Sequence, residues 1–217
     1  MPVLSSVRWR VVTMRQVTGS NITISTNKVS IQLPLGGHSF SVDSLPDALL
    51  NSEQRVEFCV LTPRTTLVPR EVFDEKSIEN YLDIVGLGCR ASERAVASDN
   101  LEQIVAVMAI DSQTLDAINL AFGSRASFTT PLLTLPKYSS AAVWLYREEN
   151  LLYIKVYNTT LRFAEVVECE CDADIVQIIN DLDKIYSLSD YAIYCHGVRP
   201  AAMRKLLSKY YSDVRCE

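Results

Sequence analysis

The sequence predicts an α/β protein with mixed sheets, arranged as two halves that repeat one order of elements. Three observations carry this. Paired strand-length runs joined by short turns stand at 28–43, where apolar and polar residues alternate, and again at 141–157. Each pair is followed by a further strand and then by alternating helix-period and strand-period segments. The composition, 48% hydrophobic and 22% charged over 217 residues, is that of an ordinary globular protein long enough to bury a sizeable core.

Residues 1–27 form an uncertain N-terminal segment in which Val7 to Thr13 and Asn21 to Ser25 alternate weakly, as edge strands do. Lys28-Val-Ser-Ile-Gln-Leu33 alternates cleanly. After Pro34-Leu-Gly-Gly37 a second alternating run, His38 to Asp43, reads as its hairpin partner, with glycine supplying positive φ in the turn. Asp43 to Gln54 is a connection with a short helical turn at Asp47–Leu50, and Arg55 to Leu61 is a third strand. Thr65 to Pro69 is extended, because Pro69 biases Val68 away from the helical region. Asp74 caps a helix carrying Ile78, Tyr81, Leu82 and Val85, and a polar stretch from Gly86 to Asn100 follows. Ile104 to Ile110 is a continuous apolar strand of the kind buried on both faces. Asp111 or Ser112 caps the next helix, with Leu115, Ile118 and Phe122 inward and Gly123 as its stop, and Phe128 to Leu135 is extended.

The second half starts with a hairpin, Ala141–Tyr146 and Leu151–Tyr157, around a turn at Arg147–Asn150. Leu161 to Glu168 is its third strand. Asp172 or Asp174 caps a helix with Ile175, Ile178, Ile179, Leu182 and Ile185 inward. Tyr191 to Cys195 is a strand, His196-Gly197 a turn, and Pro200 opens a last helix with Met203, Leu206, Leu207 and Tyr210 inward. Val214 to Glu217 adds a final strand. The two units, 28–138 and 139–217, share this order without matching residue for residue. Two facing units of that kind are the plan of the ribonuclease-H-like fold in duplicate, the actin-like ATPase architecture.

The text of the chain also resembles a known family. Val29-Ser-Ile-Gln-Leu-Pro-Leu-Gly-Gly-His-Ser-Phe-Ser-Val42, Leu67-Val-Pro-Arg-Glu-Val-Phe-Asp-Glu-Lys-Ser-Ile-Glu-Asn-Tyr-Leu82 and the meander from Trp144 to Glu168 are similar to segments of an uncharacterised bacterial family, domain of unknown function 3822, found mainly in Bacteroides relatives. The resemblance implies an actin-like ATPase fold and carries no activity with it.

An actin-like ATPase needs glycine turns that offer backbone N–H groups to phosphates, and carboxylates that hold magnesium. Gly36 and Gly37 meet the first need, with His38 beside them, but the strand leading in carries no acid and ends in Pro34 and Leu35. The second turn, Arg147-Glu-Glu-Asn150, has no glycine, and its two carboxylates repel a triphosphate. Gly197, after a strand and before a helix, stands where an adenosine-side turn lies. The expectation is therefore a non-catalytic binding or scaffold protein of the actin-like fold, a pseudo-ATPase, with no catalytic residue, no metal and no cofactor. The alternative is a nucleotide-binding protein or weak ATPase that takes ATP with magnesium in the cleft between the halves, through Gly36, Gly37, His38 and Gly197.

Other chemistries have plainer readings. Cys195 and His196 are adjacent on a strand, so their side chains point to opposite faces and do not pair. Cys169 and Cys171 flank Glu170 on one face; a zinc site with Cys195 and His196 is the sharper reading and core cysteines the plainer one. His38, without a partner nearby in sequence, reads as a solvated histidine. The basic residues Arg199, Arg204, Lys205 and Lys209 read as a solvated helix face or a partner-binding patch. A formal net charge of −5 argues against nucleic acid as a partner, which leaves an unknown protein. The six cysteines, with no secretion signal, read as reduced thiols in a cytoplasmic protein, and no apolar run is long enough to span a bilayer.

Overall fold

A computed structural model describes residues 13–15, 21–25, 28–99, 103–133 and 141–216. The expected strand at Val7 to Thr13 lies outside these residues apart from Thr13, as do Asn100, Leu135 and Glu217. Mixed sheets with helices against them are observed, as expected.

The first sheet has the order β1-β2-β3-β4-β8: β1 is Thr13–Arg15, β2 Asn21–Ser25, β3 Lys28–Leu33, β4 Val56–Val60 and β8 Ala126–Thr129. β1, β2 and β3 are antiparallel in series, whereas β3, β4 and β8 are parallel. The expected hairpin between 28–33 and 38–43 does not form. Both edges of β3 are already occupied, one by β2 and the other by β4. After Leu33 the chain instead turns beneath the sheet, with Leu35, Gly36 and Gly37 all at positive φ (51°, 68° and 93°). Phe40 then packs edge-on against Phe58 at 6.0 Å. The alternation at 38–43 thus marks a surface connection with Phe40 turned inward, which passes through a short helix, α1 (Asp47–Leu50), into β4.

Between β4 and β8 the chain builds a second, three-stranded antiparallel sheet in the order β5-β7-β6, from Thr65–Pro69, Ile104–Asp111 and Glu93–Ala97. β7 is central, and Val105 to Ile110 are fully buried. Its alternate residues explain the unbroken apolar run. Ala106, Met108 and Ile110 face the first sheet and helix α3 (Ser112–Phe122), while Val107 and Ala109 face α2 (Ile78–Ile84) through Leu82. Asp74 accepts the Lys76 N–H just before α2, and Asp111 accepts the Thr114 N–H at the start of α3, so both expected caps are present. β6 was expected to be part of a connection. It is a strand because β7 offers it an open edge, although only Val96 of its five residues is a buried apolar side chain.

The second half forms a five-stranded sheet, β11-β10-β9-β12-β13, from β9 (Ala142–Glu148), β10 (Leu151–Asn158), β11 (Thr160–Glu168), β12 (Ala192–Gly197) and β13 (Val214–Cys216). β9, β10 and β11 make the antiparallel meander read from the sequence, and β12 and β13 run parallel to β9. Helices α4 (Asp172–Tyr186) and α5 (Pro200–Leu207) cover one face through Ile175, Ile179, Leu182, Met203 and Leu207. The cap of α4 is Cys171, with Asp174 accepting from the Cys171 and Glu170 N–H groups. Ile185 and Tyr210, expected inward, are 70% and 59% exposed, because their neighbours Tyr186 and Tyr211 are the side chains turned to the core there. His196 and Gly197 extend β12 rather than forming a turn.

The other face of this sheet packs on the first half. Trp144, Tyr153 and Tyr194 form one cluster with Leu61 and Leu132 from across the seam. Among the described residues no helix is long and apolar enough to cross a membrane.

Candidate functional site

A group of polar side chains, His38, Glu93, Asp111 and Thr114, gathers at the turn Gly36-Gly37-His38, at the end of β3. The two glycines are buried. A Cβ on Gly36 would lie 3.2 Å from the Ala109 carbonyl oxygen, and one on Gly37 would lie 2.7 Å from the Thr114 Cγ2. The Gly36 N–H donates to the Leu61 carbonyl at 3.0 Å, and the Thr114 hydroxyl donates to the Gly37 carbonyl at 2.8 Å. This turn is therefore tied to the end of β4 and the first turn of α3.

His38 is not the isolated histidine that the sequence suggests. Its Nδ1 lies 3.3 Å from Asp111 Oδ1 and its Nε2 3.6 Å from Glu93 Oε1. Glu93 in turn forms a two-pronged ion pair with Arg64 and accepts the Arg90 N–H at 2.9 Å. Burial works to raise the Glu93 carboxyl, but the Arg64 and Arg90 hydrogen bonds outweigh it and hold the group below its ordinary range. Asp111 and Glu93 come from β7 and β6, so no local spacing in the sequence points to them. The imidazole is oriented by Asp111, yet its other nitrogen faces a carboxylate rather than a hydroxyl or thiol. That arrangement holds a turn in place and supplies no nucleophile. A groove of about 370 Å³ opens beside it, lined by His38, Asp43, Asp111, Gln113 and Leu120 among others. A second groove of about 510 Å³ lies along β6, with Phe73, Ile78, Leu115 and Phe128 in its walls. Both are lined by residues of the first half.

Gly197 sits on the other sheet. It is the register partner of Arg147, and a Cβ there would run into the Arg147 carbonyl oxygen. The adjacent Val198 N–H donates to that same oxygen at 2.7 Å. The glycine is required by the close pass of β12 beside β9. Gly36, Gly37 and His38 thus stand together on one turn, and Gly197 belongs to a separate strand contact.

Where the halves meet, Gln32 donates to the Tyr146 hydroxyl at 3.2 Å, and that hydroxyl donates to Glu148 at 3.0 Å. Burial, with some help from Glu149, raises the Glu148 carboxyl even though the Tyr146 hydrogen bond opposes this. Cys59 lies in the same seam, its thiol pushed up to about 12 by burial and then by Glu57 and Glu148. Lys155 is fully buried, with its ammonium 4.8 Å from the Trp144 ring centre and 5.6 Å from that of Tyr157. No pattern in the sequence points to the Gln32–Tyr146–Glu148 chain, because Gln32 reaches it from β3 while Tyr146 and Glu148 stand on β9.

The remaining candidates separate. Cys195 is buried in the α4–α5 cluster while His196 packs at a tilt against Trp144 on the opposite face, with ring centres 5.4 Å apart. Cys169 is buried and Cys171 exposed, so the expectation that they share a face is corrected: the strand has ended and the chain turns into α4 between them. Among the described residues no three histidine, cysteine or acidic side chains gather as a metal-holding group.

No family model matches the chain, and no curated protein matches it. Among solved structures, it resembles a Bacteroides thetaiotaomicron protein with an actin-like ATPase fold and unknown function, with a TM-score of 0.65 and 16% identity over 93% of this chain and 88% of that one. The likeness shows the fold. Weaker likenesses, at TM-scores of 0.39 and 0.34, reach the cytoplasmic domain of EpsL, an inner membrane component of the type II secretion system of Vibrio cholerae (11% identity, 83% of this chain and 77% of that one), and the AlfA filament bound to AMPPNP (15%, 74% and 52%). Neither of these carries an argument.

Proposed function

We propose that the chain is a non-catalytic protein of the actin-like fold, which acts by binding a protein partner or as a scaffold. One observation carries the reading: the glycines that would cradle phosphates are engaged by the protein itself. The Gly36 N–H is bonded to Leu61, the space over Gly37 is taken by Thr114, and that over Gly197 by the Arg147 carbonyl. A phosphate cradle needs free N–H groups and open space above them. The carboxylates Glu148 and Glu149 on the opposite hairpin disfavour a polyphosphate further.

This reading places the chain with the domain of unknown function 3822 proteins, as two ribonuclease-H-like units over 28–138 and 139–217. It makes the chain a cytoplasmic pseudo-ATPase that uses no cofactor and has a protein, not a nucleic acid, as its partner. The common bonding pattern of the two five-stranded sheets supports the two-unit reading.

Melting temperature measured with magnesium and millimolar ATP, ADP or GTP tests the proposal. The expected result is no change. Ligand at about 100 times its dissociation constant stabilises by about 2.7 kcal/mol and raises the melting temperature by several degrees. A concentration-dependent rise of that size overturns the proposal in favour of nucleotide binding in the cleft.

A further inference from the structure

Cys195 and Cys216 face each other across the edge of the second half's sheet. Cys195 lies on β12 and Cys216 on β13, and they are register partners in a parallel pair. Register partners project from the same face, and both side chains join the cluster beneath α4 and α5. Neighbouring strands lie about 4.7–4.9 Å apart, within the roughly 4.4–6.8 Å Cα separation that a disulfide spans. A disulfide also asks the Cβ atoms to approach within about 4.5 Å. β13 can supply that small shift, since it is a three-residue edge strand bonded to β12 alone. No other two described cysteines are register partners.

We propose that Cys195 and Cys216 form a thiol–disulfide modification site that closes by exchange with a low-molecular-weight disulfide. The Cys216 thiolate attacks one sulfur of the small disulfide, breaking its S–S bond and releasing one small thiolate. The mixed disulfide on Cys216 is then attacked by the Cys195 sulfur, whose proton passes to the departing thiolate. The second small thiol leaves, so the protein loses two protons and two electrons, and one small disulfide becomes two thiols.

Exposure sets this order. Cys216 is half-buried and reachable, while Cys195 is fully buried. Burial, and then the nearby Cys216, pushes the Cys195 thiol up to about 12, which keeps it unreactive toward solutes. It reacts once the mixed disulfide brings a sulfur alongside. The bond encloses α5 in a covalent loop and fixes β13 to β12, so this edge no longer frays strand by strand.

The full chain is incubated with oxidised glutathione, or with reduced glutathione as control, and examined by intact mass and by mapping linked peptides without reduction. The expected major product lacks two hydrogens, links 195 to 216, and melts several degrees above the reduced protein. Cys195→Ala stops at a glutathione adduct on Cys216, and Cys216→Ser forms no link. A persistent adduct on Cys216 in the unsubstituted chain overturns the proposal, as does a first link between other cysteines, or none in a protein shown to be folded.

Discussion

The two five-stranded sheets have one bonding pattern and two chain orders. Each has three antiparallel strands followed by two that run parallel to the third, β1-β2-β3-β4-β8 in one and β11-β10-β9-β12-β13 in the other. In the second sheet the central strand, β9, is the first to be laid down and the meander follows it. In the first, the central strand β3 comes last in its meander, and a whole antiparallel sheet intervenes before β8. Equivalent positions in the two sheets are thus held by different means. At the end of β3 the turn is fixed by a side-chain cluster from the inserted sheet, whereas at the end of β9 the strands themselves press together. Backbone contact is the less forgiving of the two.

The comparison can be broken most directly at the glycines. Gly197→Ala forces a methyl group into a main-chain oxygen, and a loss of about 4 kcal/mol is expected by urea denaturation. Gly37→Ala meets a side chain instead and should lose about 2 kcal/mol, with part restored by Thr114→Ser, which removes the opposing methyl but keeps the hydroxyl bonded to Gly37. The reverse ranking would show that the side-chain cluster is the stiffer support.

The ion pairs sharpen the same contrast. Glu93 has 2% of its side chain exposed beneath Arg64, while Asp172, paired with Arg147 at 2.8 Å, has 64%. Glu93→Gln should cost about 2–3 kcal/mol by leaving Arg64 half-buried without its anion, and Asp172→Asn about 0–0.5 kcal/mol. Because the Glu93 carboxyl is held below its ordinary 4.5, its contribution is complete above that pH and disappears as pH falls through the lowered value. Acid titration of stability should therefore be flatter in Glu93→Gln than in the parent.

At the seam the expected effects are smaller. Tyr146→Phe removes a hydroxyl bonded to both halves and should lose about 1 kcal/mol. Glu148 is held above its ordinary 4.5, so its ionised form weakens the fold once pH rises past that value. Glu148→Gln should match the parent in acid and exceed it by roughly 0.5 kcal/mol at neutral pH. A change of the same size is expected at Leu35 and Arg199, one per half, both left-handed at φ 51° and 53°. Replacement of either by glycine should add about 0.5 kcal/mol by thermal melting, since relief of strain slightly exceeds the added chain entropy.

Legibility in the sequence followed the range of the pairing. β9, β10 and β11 are joined by tight turns; β9 and β10 are apolar runs of strand length and β11 alternates, so local pattern and turn residues together specified them. Ser39 to Asp43 alternates as well, but what decides its structure is that β2 and β4 had already filled both edges of β3, a fact no local window contains. β6 was hidden because Glu93 is turned inward to Arg64 and only Val96 marks a buried apolar position. The same limit applied to the site. Gly36, Gly37 and His38 were visible as a turn, whereas Asp111 and Glu93 join His38 only through the three-stranded sheet. Gly197 was visible as a glycine after a strand, and its reason, the Arg147 carbonyl, lies on another strand.

The aromatic seam makes the two halves thermodynamic dependants of each other. Trp144, Tyr153 and Tyr194 are at most 3% exposed because Leu61 and Leu132 lie over them. Either half expressed alone would present that face to water, a patch large enough to drive self-association. Amide hydrogens on β9 and on β4 should then exchange at one common rate, through a single opening of the whole molecule. A hinge that parts the halves would have to wet this cluster, so a shared unfolding event takes the place of a domain-opening motion.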